Sequence, residues 1–220
     1  MKVSNVTPYV NRSAALGALL ASVCLASSPV PDALLKPVEA RYNRAQSLKL
    51  DFSETYTGMG HAPAHTESGT LYLRKPGRMR WEYSIPAGKL FISDGKEVFL
   101  YTPDQRRAEK SKLKESEDMR APLAFLLGKL DFAREFQGFE TRSEGANNWI
   151  TAVPKSPNSE YSKVEFLTTP SGEILRLKVT GIGNTKLDFT FSNEQLNAPV
   201  AASLFTFRPP AGTEVVESDR

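Results

Sequence analysis

Residues 66–101, TESGTLYLRKPGRMRWEYSIPAGKLFISDGKEVFLY, alternate apolar side chains with charged or small polar ones. Within Arg78–Tyr83, Met79, Trp81 and Tyr83 share one parity and Arg78, Arg80 and Glu82 the other. A strand turns successive side chains to opposite faces, so this period specifies antiparallel strands with one apolar and one solvated face. Lys75-Pro76-Gly77, Pro86-Ala87-Gly88 and Asp94-Gly95-Lys96 divide the stretch into hairpin-sized pieces, because Pro and Gly supply turn conformations that a ladder excludes. An apolar sheet face needs a cover, and that cover must come from elsewhere in the chain.

The same pattern continues on both sides. Leu48–Tyr56 reads as a strand, as do Phe136–Arg142, Trp149–Val153, Val164–Thr168, Ile174–Thr180 and Lys186–Ser192. Ser171-Gly172 and Gly183-Asn184 read as hairpin turns, and Leu204–Phe207 as a last short strand before Pro209-Pro210. Thr57–Ala64 and Asn193–Ser203 read as connections, the latter with room for a short helix. Arg106–Glu117, dense in charge, reads as a short strand followed by a solvated loop. Two stretches have helical spacing. In Pro31–Gln46, Asp32 is placed to cap, Leu34, Leu35, Val38 and Tyr42 share one side, and Pro37 falls within the first turns. In Met119–Leu130, Pro122 suits a helix start, and Leu123, Phe125, Leu126, Leu127 and Leu130 leave no polar side. The expectation is an α+β, mostly β fold of about ten or eleven antiparallel strands. A sheet that long curls, and helices cover its apolar concave face, an arrangement suited to a small apolar ligand.

The N-terminus follows a different rule. Met1-Lys2 and Arg12 are basic, Ala14–Ala26 is apolar, and Ser27-Ser28-Pro29 interrupts it. This is the layout of a secretory signal peptide and is too short for a membrane span. Cleavage after Ala26 leaves residues 1–26 as leader and 27–220 as one domain exported to the periplasm. Cys24 is the only cysteine and leaves with the leader, so no disulfide is expected. Lipidation at Cys24 is the alternative, but Val23 and Ala21 depart from the processing pattern. The net charge of +3 is spread among acids and bases and calls for no nucleic-acid partner.

Catalytic constellations are missing. His61 and His65 flank Pro63, which argues against a metal pair on one helix face. No Ser stands in a Gly-x-Ser-x-Gly elbow. Gly181-Ile182-Gly183 lacks the third glycine of a phosphate loop. The expectation is a chain that is no enzyme and holds no cofactor or metal.

Several motifs together resemble the LolA family of periplasmic lipoprotein carriers. They are Lys75-Pro76-Gly77-Arg78-Met79-Arg80-Trp81-Glu82-Tyr83 with Pro86, then Ile92-Ser93-Asp94-Gly95-Lys96, then Phe99-Leu100-Tyr101-Thr102-Pro103. Phe205-Thr206-Phe207-x-Pro209-Pro210-x-Gly212 falls where the family has its late motif, and the likeness runs from about Leu34 to Val216. The resemblance implies an unclosed β-barrel lidded by helices. It implies a monomeric carrier that takes acylated lipoproteins from an ATP-driven, ABC-type inner-membrane extractor to an outer-membrane acceptor. Acyl chains would then lie against Leu73, Met79, Trp81, Tyr83, Phe91, Phe99, Leu126 and Leu127, although such residues on an inner face also serve as plain core. In the family an Arg before the motif's Pro bonds the helical lid. Here the position is Lys75, which has no planar fork and so implies a weaker latch. A LolB-like anchored acceptor, which requires a lipidated Cys24, and a lipid-binding or envelope-sensing relative are the alternatives.

Overall fold

The computed structural model describes Met1 and residues 31–58, 64–113 and 130–217. The expected leader and residues 119–129 of the second expected helix, with Leu126 and Leu127, lie outside the described residues, as do His61 and Pro63.

Helix α1 (Asp32–Arg44) opens the fold. Leu35, Val38 and Tyr42, three and four residues apart, are its buried side. One detail differs from the expectation: Asp32 is the first helical residue rather than the cap, and no side chain caps the start. Pro37 sits within the early turns, as expected, without ending the helix. Strand β1 (Ser47–Thr57) follows, then β2 (His65–Arg74), β3 (Arg78–Ile85), β4 (Leu90–Asp94), β5 (Glu97–Thr102) and β6 (Arg107–Lys112). A one-turn helix, α2 (Phe132–Glu135), leads into β7 (Phe136–Glu144), β8 (Asn147–Pro154), β9 (Tyr161–Thr168), β10 (Ile174–Gly181) and β11 (Lys186–Leu196). The last strand is β12 (Glu214–Glu217).

The twelve strands among the described residues form one sheet, in the order β12-β6-β5-β4-β3-β2-β1-β11-β10-β9-β8-β7. Its edges, β12 and β7, do not pair, so the sheet is unclosed. Every ladder is antiparallel except β12 on β6, a parallel pairing that the alternation does not announce. Leu204–Phe207 is no strand: Ala202–Phe205 is a 3-10 turn with Phe205 buried.

Ring contacts show the curl. Trp81 on β3 and Phe189 on β11 are three strands apart, roughly 14 Å along a flat sheet. Their centroids are 5.7 Å apart. Only a sheet bent toward that face brings them together. The core therefore collects on the inner face, with Leu48, Leu50, Phe52, Leu71, Trp81, Ile150, Phe166, Leu177, Phe189 and α1's Val38 in one cluster. Arg78, Arg80 and Glu82 take the outer face, as the parity of their segment requires.

A candidate apolar-ligand face under helix α1

The inner face of β2, β3 and β4 is built from Leu73, Met79, Trp81, Tyr83 and Phe91, each no more than 4% exposed. Register explains their meeting. Leu73 lies opposite Met79, and Trp81 lies between Leu71 on one side and Phe91 on the other. Phe52 of β1 completes the patch, edge-on to Trp81 at 4.7 Å and to Tyr83 at 5.2 Å. These five predicted residues do come together, as one aromatic and thioether surface.

Phe99 does not join them. It pairs with Ile92, whereas Phe91 pairs with Leu100, so Phe99 faces outward. There it stacks on Phe207 at 5.1 Å, in a second apolar patch with Tyr101 beneath the C-terminal segment. Arg80 and Arg74 pin that segment by donating to the carbonyls of Leu204 (3.0 Å) and Val200 (3.2 Å). The unbroken apolar runs Leu90–Ile92 and Val98–Tyr101 were the available signal, since strands apolar on both parities are buried on both faces. Leu100, which the alternation does not single out, takes the inner position instead, packed against the main core.

Helix α1 packs on the inner face in the same core cluster, and polar contacts hold its last turns. Lys75 Nζ donates to the carbonyl of Tyr42 at 2.7 Å, and burial lowers the Lys75 pKa. On the opposite flank Glu194 of β11 accepts from Arg41 Nε at 2.8 Å and from the Tyr42 hydroxyl at 2.6 Å. The Tyr42 hydroxyl in turn accepts from the Ile174 amide at 3.0 Å. Burial first, and then the Glu194 carboxylate, push the Tyr42 pKa upward, so the phenol remains a donor. Asn43 both donates to the Leu130 carbonyl (2.8 Å) and accepts from its amide (2.7 Å). Glu39 accepts from the Phe132 amide at 2.9 Å. None of Glu39, Arg41, Asn43 and Glu194 stands out in the sequence. Arg41 and Glu194 are 153 positions apart, and no local pattern links them.

Glu194 reaches the helix because β11 is bulged. Lys49 faces Gln195 but Asp51 faces Ser192, so both Asn193 and Glu194 lie across from Leu50. Asn193 adopts φ +54°, a left-handed conformation that Asn tolerates. A bulge re-aims a side chain, and this one turns a carboxylate toward α1.

The outer face has a different chemistry. A polar groove of about 380 Å³ crosses β1, β11, β10 and β9, lined by Ser53, Thr55, Lys163, Glu165, Arg176 and Lys178 among others. Among the described residues no group of three or more His, Cys, Asp or Glu is placed to hold a metal. No helix among them is long and apolar enough to cross a membrane.

An unclosed antiparallel sheet curled round an aromatic face, with a helix tethered across it, defines the class of lidded half-barrels. The particular family follows from sequence. The profile of the outer membrane lipoprotein carrier protein LolA family matches residues 43–208, and the chain belongs to that family. An outer-membrane lipoprotein carrier protein of Nitrosomonas europaea is 26% identical over 90% of this chain and 96% of its own length. One from Ralstonia nicotianae is 31% identical over 70% and 71%. An uncharacterised conserved protein of Thermus thermophilus has the same fold, with a TM-score of 0.50, 13% identity, and coverage of 84% of this chain and 97% of its own.

Proposed function

We propose that the chain carries acylated lipoproteins across the periplasm, sheltering their acyl chains on the inner face of the sheet. Membership of the carrier family supports this, and the observation that carries it to named residues is the aromatic inner face beneath a helix held by hydrogen bonds. Each acyl CH₂ kept from water is worth about 0.8 kcal/mol. A lipoprotein therefore cannot cross an aqueous space unescorted, and its carrier must also let go. Tethers made of a few polar contacts suit that need, because they can be exchanged without dismantling the core. In this reading Lys75 is a latch on α1, Leu73, Met79, Trp81, Tyr83 and Phe91 line the site together with Leu126 and Leu127, and Phe99 is excluded. The chain is exported by a cleaved leader comprising residues 1–26. The mature domain, 27–220, works as a monomer without catalysis, between an ATP-driven extractor and an outer-membrane acceptor.

The test is native mass spectrometry of the mature protein mixed with a triacylated lipoprotein bearing a photoreactive diazirine on one acyl chain. The expected result is a one-to-one complex, with the label mapped to inner-face residues of β1–β4 and none on Phe99 or Trp149. Absence of a complex in a folded sample would refute the carrier reading. Binding of free lipid but not of lipoprotein would replace it with a general lipid carrier.

A further inference from the structure

The chain has two tryptophans, and the structure treats their indole N–H groups differently. Trp149, on the outer face, donates from Nε1 to Glu144 at 2.7 Å. Trp81, on the inner face and fully buried, has no acceptor for Nε1 among the described residues. A buried donor without a partner bears its whole desolvation penalty, which is why native interiors seldom keep one. Packing does not explain it, since phenylalanine fills aromatic positions on both sides: Phe52 and Phe189 meet the indole at 4.7 and 5.7 Å. The hydroxyl of Ser93, also buried on this face, is already committed to the Gly77 carbonyl at 3.0 Å. Trp81 Nε1 is thus an unpartnered donor on an inner face that it shares with the Ser93 and Tyr83 hydroxyls and the buried Glu54 carboxylate.

An acyl chain brings a matching acceptor. Its hydrocarbon is satisfied by the rings, but the carbonyl at its head loses water on entry and has no donor of its own. We infer that Trp81 is a specificity residue whose Nε1–H donates to the ester or amide carbonyl of a bound acyl chain, fixing how far the chain slides along the face. The inference rests on the carrier reading and adds a polar address to it. The site then distinguishes acyl groups from bare hydrocarbon, and the hydrogen bond forms only when cargo is present.

The probes are a dipalmitoyl-glyceryl cysteinyl peptide and the same peptide with ether-linked chains, which keep the hydrocarbon and lack both ester carbonyls. The wild-type protein should bind the ester form about three- to tenfold tighter, the range of one neutral hydrogen bond. Trp81→Phe should lose that preference, while Phe91→Ala weakens both probes and leaves the ratio intact. In the ¹⁵N-labelled wild-type protein the Trp81 indole proton should move downfield with the ester probe only, and this measurement stands even if Trp81→Phe fails to fold. An ester-to-ether ratio equal in wild type and Trp81→Phe, or an indole resonance that moves alike with both probes, would overturn the inference and leave the carrier reading intact. Failure of the wild type to bind either probe would overturn both.

Discussion

Replacing Gly172 with alanine tests whether α1 is seated on the sheet as the contacts indicate. Gly172 occupies the β9–β10 turn with φ +82°, and a Cβ there would stand 2.4 Å from the Pro37 carbonyl carbon and 2.5 Å from its oxygen. Two costs separate cleanly. The left-handed conformation costs a non-glycine residue about 1–2 kcal/mol. The clash is with backbone, so α1 must move until the contact exceeds 3.0 Å, an overpacking cost of about 1–3 kcal/mol. Gly145 provides the control, because it has φ +60° in the β7–β8 turn and a Cβ added there would meet nothing within 4 Å. For a domain of this size 1 kcal/mol moves the melting midpoint by roughly 2–4 °C. Gly145→Ala should therefore lower it by roughly 2–8 °C and Gly172→Ala by roughly 4–20 °C. Differential scanning calorimetry gives both shifts, and amide hydrogen exchange of residues 34–44 reports where the extra loss falls. Equal melting losses in the two variants, with α1 exchange unchanged in both, would refute the claim that this turn seats the helix.

Phe91→Ala and Phe99→Ala should each cost about 3–5 kcal/mol at most, with the smaller loss at half-buried Phe99. Only Phe91→Ala should weaken acyl-lipopeptide binding measured by fluorescence titration, and an equal loss of affinity in both would contradict the division into inner and outer faces. For Lys75, burial holds the folded-state pKa below 10.5, so between that lowered value and 10.5 the unfolded chain binds more protons than the folded one. Stability then rises with pH across this window. The melting midpoint of the wild type relative to Lys75→Met should climb as pH approaches 10.5, and a flat or falling difference would place the ammonium in water rather than against α1.

Parity makes the inner face legible. Met79, Trp81 and Tyr83 can face only one way once their neighbours are charged, and the structure puts them where the alternation requires. Parity alone cannot decide Phe99, because Val98–Tyr101 is apolar in both registers and either assignment satisfies a period of two. The outcome depends on a segment more than a hundred residues away, where Phe207 offers an outer partner to Phe99. The bulge that aims Glu194 is equally invisible. Asn193 is a residue that tolerates left-handed backbone, but nothing in Ser192–Gln195 says that Leu50 will face two residues rather than one.

These two blind spots bear on how the fold is held. At the position where the resemblance implies a latch, Lys75 donates to the Tyr42 carbonyl. The planar guanidinium absent there appears on the helix instead, as Arg41, and its carboxylate partner is Glu194 on the opposite flank. Tyr42 joins the two sides, accepting from Lys75 through its carbonyl and donating to Glu194 through its hydroxyl. The Glu194 side chain is only 3% exposed, and withdrawing α1 would break its charge-assisted hydrogen bonds from Arg41 and from the Tyr42 hydroxyl together, against the single side-chain bond from Lys75. The end of α1 is therefore fixed from β11 more firmly than from Lys75, and under the proposed function an opening for cargo is expected to meet less resistance on the Lys75 side, next to Leu73 and Met79, than on the side of Glu194.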